Sequence, residues 1–144
     1  MRHADARVDA VIQRFETLRR DSVARLAEIY TGDARFKDPF NEVQGLAAIE
    51  AIFVHMFDSL DQPRFVIRDA IVQGDQAFLS WEFVFRMRRF SSDEQTIRGG
   101  THLRFAADGR IRDHRDYWDA AEELYEKLPL VGALMRWLKR RARS

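Results

Sequence analysis

Two stretches of this chain carry side chains whose types and spacing suit proton transfer. In "RIRDHRDYWD", residues 110–119, strand alternation sets His114, Asp116 and Trp118 on one face, so an imidazole and a carboxylate look inward beside an apolar wall. In "ARFKDPF", residues 34–40, the same alternation puts Phe36 and Asp38 on a shared face before proline ends the strand. A third carboxylate, Glu82, sits inside the apolar run "QAFLSWEFVFRMRRF". A buried carboxylate without a partner is costly, so Glu82 calls for Arg86, Arg104 or His114 beside it.

Each of these residues has a plainer reading. Asp38 beside a proline also caps turn amides. Asp116 would equally pair with Arg115 or Arg86 or bond a nearby tyrosine, and His114 would serve in a structural hydrogen-bond network. Burial would raise the pKa of an inward Asp116 toward the range of a general acid. His3, His55, His102 and His114 show no metal-ligand spacing, and the chain has no cysteine, so no metal and no cofactor is expected. The glycines of "RGGTH" read as a bulge or bend rather than a phosphate loop.

The elements that must hold these groups follow from periodicity. Val8, Val11, Ile12, Phe15 and Leu18 recur at helical spacing, and Asp21-Ser22 restarts a second helix with Val23, Leu26, Ile29 and Tyr30. Leu46, Ile49, Ile52, Phe53 and Met56 mark a third. Four period-two segments follow, separated by "GDQ", "SSDE" and "ADG", the pattern of an antiparallel meander. On the longest, Leu79, Trp81, Phe83, Phe85 and Met87 form an apolar parity to be covered by a helix or a second subunit. Ser80, Glu82, Val84 and Arg86 form a mixed parity that reads as a cavity lining.

At 144 residues, all in one expected domain, the chain is long enough to bury roughly two thirds of its unfolded surface. The charges nearly cancel at net +1, which excludes a dominant nucleic-acid field, and no apolar run is long enough to span a bilayer. A charged N-terminus without an apolar block is read as cytoplasmic. Residues 120–144 form a helical extension broken at Pro129, with a basic end. That end suits a helix closing the fold or packing on a dimer, in preference to contact with an anionic membrane surface.

"YTGDARFKDPF", "QGLAAIEAIFVHMF" and "THLRFAADGRIRDHRDYW", in this order, resemble the nuclear transport factor 2-like superfamily, in particular its SnoaL-like and ketosteroid isomerase-like members. The resemblance implies an α+β cone: a curved antiparallel sheet wrapped around N-terminal helices, an apolar pocket, and a homodimer through the outer sheet face. It implies that Asp38 matches the proton-shuttling base of the isomerases, that Phe15 falls near their oxyanion tyrosine and that Thr101 replaces their second aspartate. Oxyanion donors usually contribute most to catalysis of that kind; a phenyl ring cannot serve as one. Epoxide-hydrolase-like relatives carry an "RDYFD"-like motif whose first aspartate Asp116 matches, and dehydratase-like ones use histidines, here His102 and His114. The expected catalytic set is Asp38, Glu82, His114 and Asp116, and the expected ligand wall is Phe15, Phe36, Ile52, Val84, Thr101, Leu103 and Trp118. The implied function is binding of an apolar, oxygen-bearing small molecule with isomerase, epoxide hydrolase or lyase chemistry. A non-catalytic ligand-binding or dimeric interaction module is the alternative.

Overall fold

The computed structural model describes residues 1–88, 93–123, 137–138 and 140–143. Helix α1 (Ala6–Glu16) begins where Asp5 accepts the backbone N–H groups of Arg7 and Val8, and Val8, Val11, Ile12 and Phe15 form its buried stripe. The restart at Asp21-Ser22 is a 3-10 helix, Arg20–Glu28, that buries Val23 and Leu26. Helix α2 (Leu46–Ser59) follows Gly45, whose φ of 102° no side-chain-bearing residue adopts without strain. Ile49 and Phe53 are its buried anchors.

Six strands make one sheet in the order β2-β1-β6-β5-β4-β3. They are β1 (Tyr30–Lys37), β2 (Glu42–Gln44), β3 (Leu60–Gln73), β4 (Gln76–Met87), β5 (Glu94–Phe105) and β6 (Ile111–Tyr117). The meander β3 to β6 is antiparallel as its pattern predicts. The sheet as a whole is mixed, because β1 lies parallel to β6 while β2 returns antiparallel to β1. Register shifts within β3, at Asp61/Arg64 and Ile67/Asp69, bend the sheet, whose edge strands β2 and β3 do not pair with each other. Helix α1 packs on β3, and α2 on β3, β1 and the 3-10 helix, so all three helices cover one concave face. Ile12, Leu26, Ile49, Leu79, Leu103 and Ile111 are almost fully buried between them.

Two expectations are corrected here. The apolar parity of β4 is covered by the helices, with Leu79, Trp81, Phe83 and Phe85 buried in the core, but the mixed parity lines no inward cavity, because Ser80, Glu82 and Arg86 turn outward. Polar residues at the outer parity of a covered sheet have water and neighbouring charges to pair with, which the inner parity lacks. The glycines of "RGGTH" make no bulge against β4, whose register with β5 runs unbroken from Gln76↔Arg104 to Arg86↔Glu94. They clear space for rings instead: a Cβ on Gly99 would stand 2.5 Å from the Trp81 indole inside, and one on Gly100 would strike Phe78 outside. The outer face then carries Ile71, Phe78 and Tyr117 exposed, with no apolar stripe of β4.

After β6, α3 (Ala120–Glu123) docks on β5, where the Arg98 side chain meets Glu123 at 2.7 Å. Residues 137–138 and 140–143 are helical and exposed, and the Arg141 guanidinium lies over the Trp137 ring. The expected break at Pro129 lies outside the described residues. Among those described, no helix is long and apolar enough to cross a membrane.

Candidate functional site

The site is built by two bulged strands that lie side by side. In β6 both Ile111 and His114 are buried, three residues apart, because a register shift against β5 at Arg104/Phe105 absorbs one residue. Beyond that bulge the even-numbered positions look inward, which sends His114 and Asp116 to the concave side and Arg115 and Tyr117 outward. In β1 the alternation itself turns Tyr30, Ala34 and Phe36, all buried, to the same inward face, and a register shift against β6 falls between Tyr30 and Arg35. The β5 register sets Thr101 directly across from Asp116, and Leu79 of β4 across from Thr101.

These placements produce one hydrogen-bonded chain. Tyr30 Oη lies 2.6 Å from His114 Nδ1, and His114 Nε2 lies 2.6 Å from Asp116 Oδ1. From the other side the Trp81 indole donates to Thr101 Oγ1 at 2.7 Å, and the Thr101 hydroxyl donates to Asp116 Oδ1 at 2.6 Å. Indole can only donate, so the Thr101 oxygen accepts and its hydrogen is free to go to the carboxylate. Two donors converge on Oδ1, while Oδ2 has no partner among the described residues. Burial, with the Asp116 charge adding to it, pushes the Tyr30 hydroxyl well above the ordinary phenol range. Phe36 packs on the imidazole at 4.6 Å between ring centroids, with Phe15 edge-on at 6.0 Å.

Asp116 opens onto a cavity of about 290 Å³ between α2 and the sheet. Its walls are Phe36, Ile52, Phe53, Met56, Phe65, Trp81, Phe83, Ile97 and Trp118, and its polar groups are Asp38, Asn41, His55, Ser59 and Asp116. Behind it, Phe15, Thr101 and His114 line a space of about 20 Å³, enough for one water molecule. A wider trough of about 670 Å³ on the outer face, rimmed by Arg35, Lys37, Arg104 and Arg115, encloses no comparable polar array.

The sequence-derived candidates separate in this geometry. His114, Asp116, Thr101, Phe15, Phe36, Ile52 and Trp118 gather at the cavity or the space behind it. Asp38 reaches the rim, but its Oδ1 accepts from the backbone N–H groups of Phe40 at 2.8 Å and Asn41 at 2.6 Å, with the Asn41 amide also on it at 3.1 Å. It caps the turn that joins β1 to β2. Glu82 lies outside the site: it is on the outer face, where Arg68 binds it at 2.8 Å and, with help from Arg98, lowers its pKa. Val84 shares that outward parity and is no part of the cavity wall. Leu103, fully buried opposite His114, belongs to the core beneath the site. His102 faces outward and bonds Gln76.

Sequence reasoning missed Tyr30, Trp81, Phe65 and Phe83. Tyr30 reads as the last apolar position of a helix, and the three rings fall on strands whose inward parity only the pairing decides. Among the described residues, no three His, Asp or Glu side chains are grouped to hold a metal ion.

Comparison with solved structures finds the same architecture at low identity. A protein with a ketosteroid isomerase-like fold from Catenulispora acidiphila DSM 44928, in complex with trimethylamine, is 14% identical with a TM-score of 0.71, covering 85% of this chain and 92% of its own. A protein from Jannaschia sp. CCS1 classed with the SnoaL-like polyketide cyclases is 18% identical with a TM-score of 0.67, covering 81% and 87%. TerC co-crystallised with polyporic acid is 17% identical with a TM-score of 0.70, covering 81% and 93%. At these identities the likeness establishes the fold. No curated protein matches the chain. The SnoaL-like domain family model, however, matches residues 11–114, most of the chain including β1 to β5 and His114 of β6, and by that match the chain belongs to the SnoaL-like domain family.

Proposed function

We propose that the chain binds an apolar, oxygen-bearing small molecule in the cavity between α2 and the sheet and that Asp116 moves a proton on it. The observation that carries this reading is the convergence of Thr101 and His114 on Oδ1 of Asp116, a residue of the cavity wall whose Oδ2 has no partner among the described residues. Two donors on one oxygen fix the plane of the carboxylate, so the second oxygen is oriented before a ligand arrives. The apolar wall excludes water from the proton's path and strengthens each interaction within it. Isomerisation, epoxide opening and elimination all begin or end with such a transfer. Asp38, held by its turn, bounds the cavity mouth in this scheme and is not the base.

A second reading, ligand binding without turnover, draws support from the donors nearest Asp116. The Thr101 hydroxyl and the Trp81 indole are engaged within the array, and the Asn41 amide is engaged with Asp38. The position matched to the isomerase tyrosine is Phe15, which cannot stabilise an oxyanion.

A panel of enones, epoxides and lactones incubated in D2O and followed by NMR separates the two readings. Deuterium incorporation or product formation is expected with the wild-type chain, falling at least about 100-fold in Asp116→Asn whose NMR spectrum shows the wild-type fold at the assay temperature. Turnover unaffected by that substitution would remove Asp116 from the chemistry, and binding without exchange would favour the second reading.

A further inference from the structure

The hydrogen-bonded array sets the charge of the cavity as well as its shape. Tyr30 is fully buried, and among the described residues its hydroxyl has one partner, His114 Nδ1. A buried hydroxyl with nowhere to donate is costly, so its hydrogen goes to Nδ1, which then carries none of its own. Nε2 holds the ring's single proton and gives it to Asp116 Oδ1. The imidazole is therefore neutral and supplies Asp116 with a hydrogen bond but no counter-charge. Thr101 is neutral as well.

The rest of the wall does not redress this. Among the described residues its titratable groups are Asp38, Asp116 and the exposed His55, which is engaged with Ser59 at the rim, and none of the described lining residues is Lys or Arg. The cavity that Asp116 lines also presents Phe36, Phe65, Trp81, Phe83 and Trp118, and aromatic faces attract positive charge. We infer that the small apolar, oxygen-bearing ligand also carries a cationic nitrogen, a tertiary or quaternary ammonium, held against these rings with its charge beside the Asp116 carboxylate, so that neutral analogues enter the same cavity more weakly. An anionic ligand would meet two carboxylates in a low-dielectric space, and a neutral one would leave the Asp116 charge unmatched. The cavity volume lies at the small end of ligand sites, which restricts the body to about one ring or a short chain.

This inference rests on the cavity being a ligand site and adds the charge of the ligand, whether or not Asp116 also transfers a proton. The test is an NMR titration of the full chain with three probes of one shape: choline, its neutral carbon isostere neohexyl alcohol, and the anion tert-butylacetate. Choline is expected to bind about thirtyfold more tightly than neohexyl alcohol, with shifts at the Trp81 and Trp118 indoles, and tert-butylacetate to leave those signals unmoved. Asp116→Asn should bring the ratio close to one while keeping the affinity for the alcohol; if that variant does not fold, the wild-type series decides the question alone. Neohexyl alcohol or tert-butylacetate binding as tightly as choline overturns the inference and leaves the ligand site standing. Failure of all three to move the cavity signals overturns both.

Discussion

Thr101→Val removes one hydroxyl and almost no volume, so it isolates the polar array from the packing around it. Thr101 is 4% exposed and joins two buried bonds, from the Trp81 indole at 2.7 Å and to Asp116 Oδ1 at 2.6 Å. Losing the first leaves a buried indole N–H unpaired, at about 1–3 kcal/mol; losing the second removes a bond to a charged acceptor, at about 1.5–3 kcal/mol. Asp116 keeps its bond from His114 and is 18% exposed at its side chain, so water recovers part of the second loss. The net expectation is a destabilisation of about 2–4 kcal/mol, which for a domain of this size lowers Tm by roughly 6–12 °C. Urea unfolding followed by tryptophan fluorescence measures it, with an unchanged m-value showing that compactness is preserved. In a Trp81→Phe background the same substitution should cost at least about 1 kcal/mol less, because the orphaned donor is then absent. A loss below about 0.5 kcal/mol, or full additivity with Trp81→Phe, would refute the array as a buried unit.

Other consequences are local and separable. Gly99→Ala puts a Cβ 2.5 Å from the buried Trp81 ring and should cost about 1–3 kcal/mol, whereas Gly100→Ala meets the far end of the half-exposed Phe78 ring and should cost less; paired thermal melts compare them. Asp5 caps α1 and is held at about 2 by Arg7 and the helix amides, below its usual 3.8. A depressed carboxyl stabilises the fold above its unfolded pKa, so this contribution should fade as pH falls from about 4 toward about 2 and be missing from Asp5→Asn in melts across that window. Glu82→Gln breaks a solvent-screened pair with Arg68 and should leave the melting temperature nearly unchanged, with choline binding unaltered in the same NMR titration.

The elements were legible because their patterns are local. The apolar stripe of α1 and the spacing of α2 follow from helical periodicity, and the four meander strands from alternation and their turns. What sequence could not supply was the relation between distant segments. Alternation along β4 shows that its two faces differ, yet Trp81 lies inward because Gly99 across from it clears room for the indole, and Glu82 outward because Arg68 and Arg98 sit there. The parallel pairing of β1 with β6 joins residues about eighty positions apart, and the three residues of β2 are too few to show any period. The inward set His114, Asp116 and Trp118 could be read from parity on its own strand. Its partner Tyr30 could not, because β1 begins at Tyr30 itself, where the helical spacing still runs, and a tyrosine closing an apolar helical pattern looks like core.

Everything proposed for Asp116 requires that ligands enter the inward cavity and not the charged outer trough. Titrating cyclohexenone, a neutral enone, into the isotopically labelled full chain tests this by chemical-shift mapping. Shifts are expected at the Trp81 and Trp118 indoles, Phe83 and the Asp116 carboxyl carbon, with Arg68 and Glu82 unmoved. Shifts confined to the outer residues Arg35, Arg104 and Arg115 would contradict entry at Asp116.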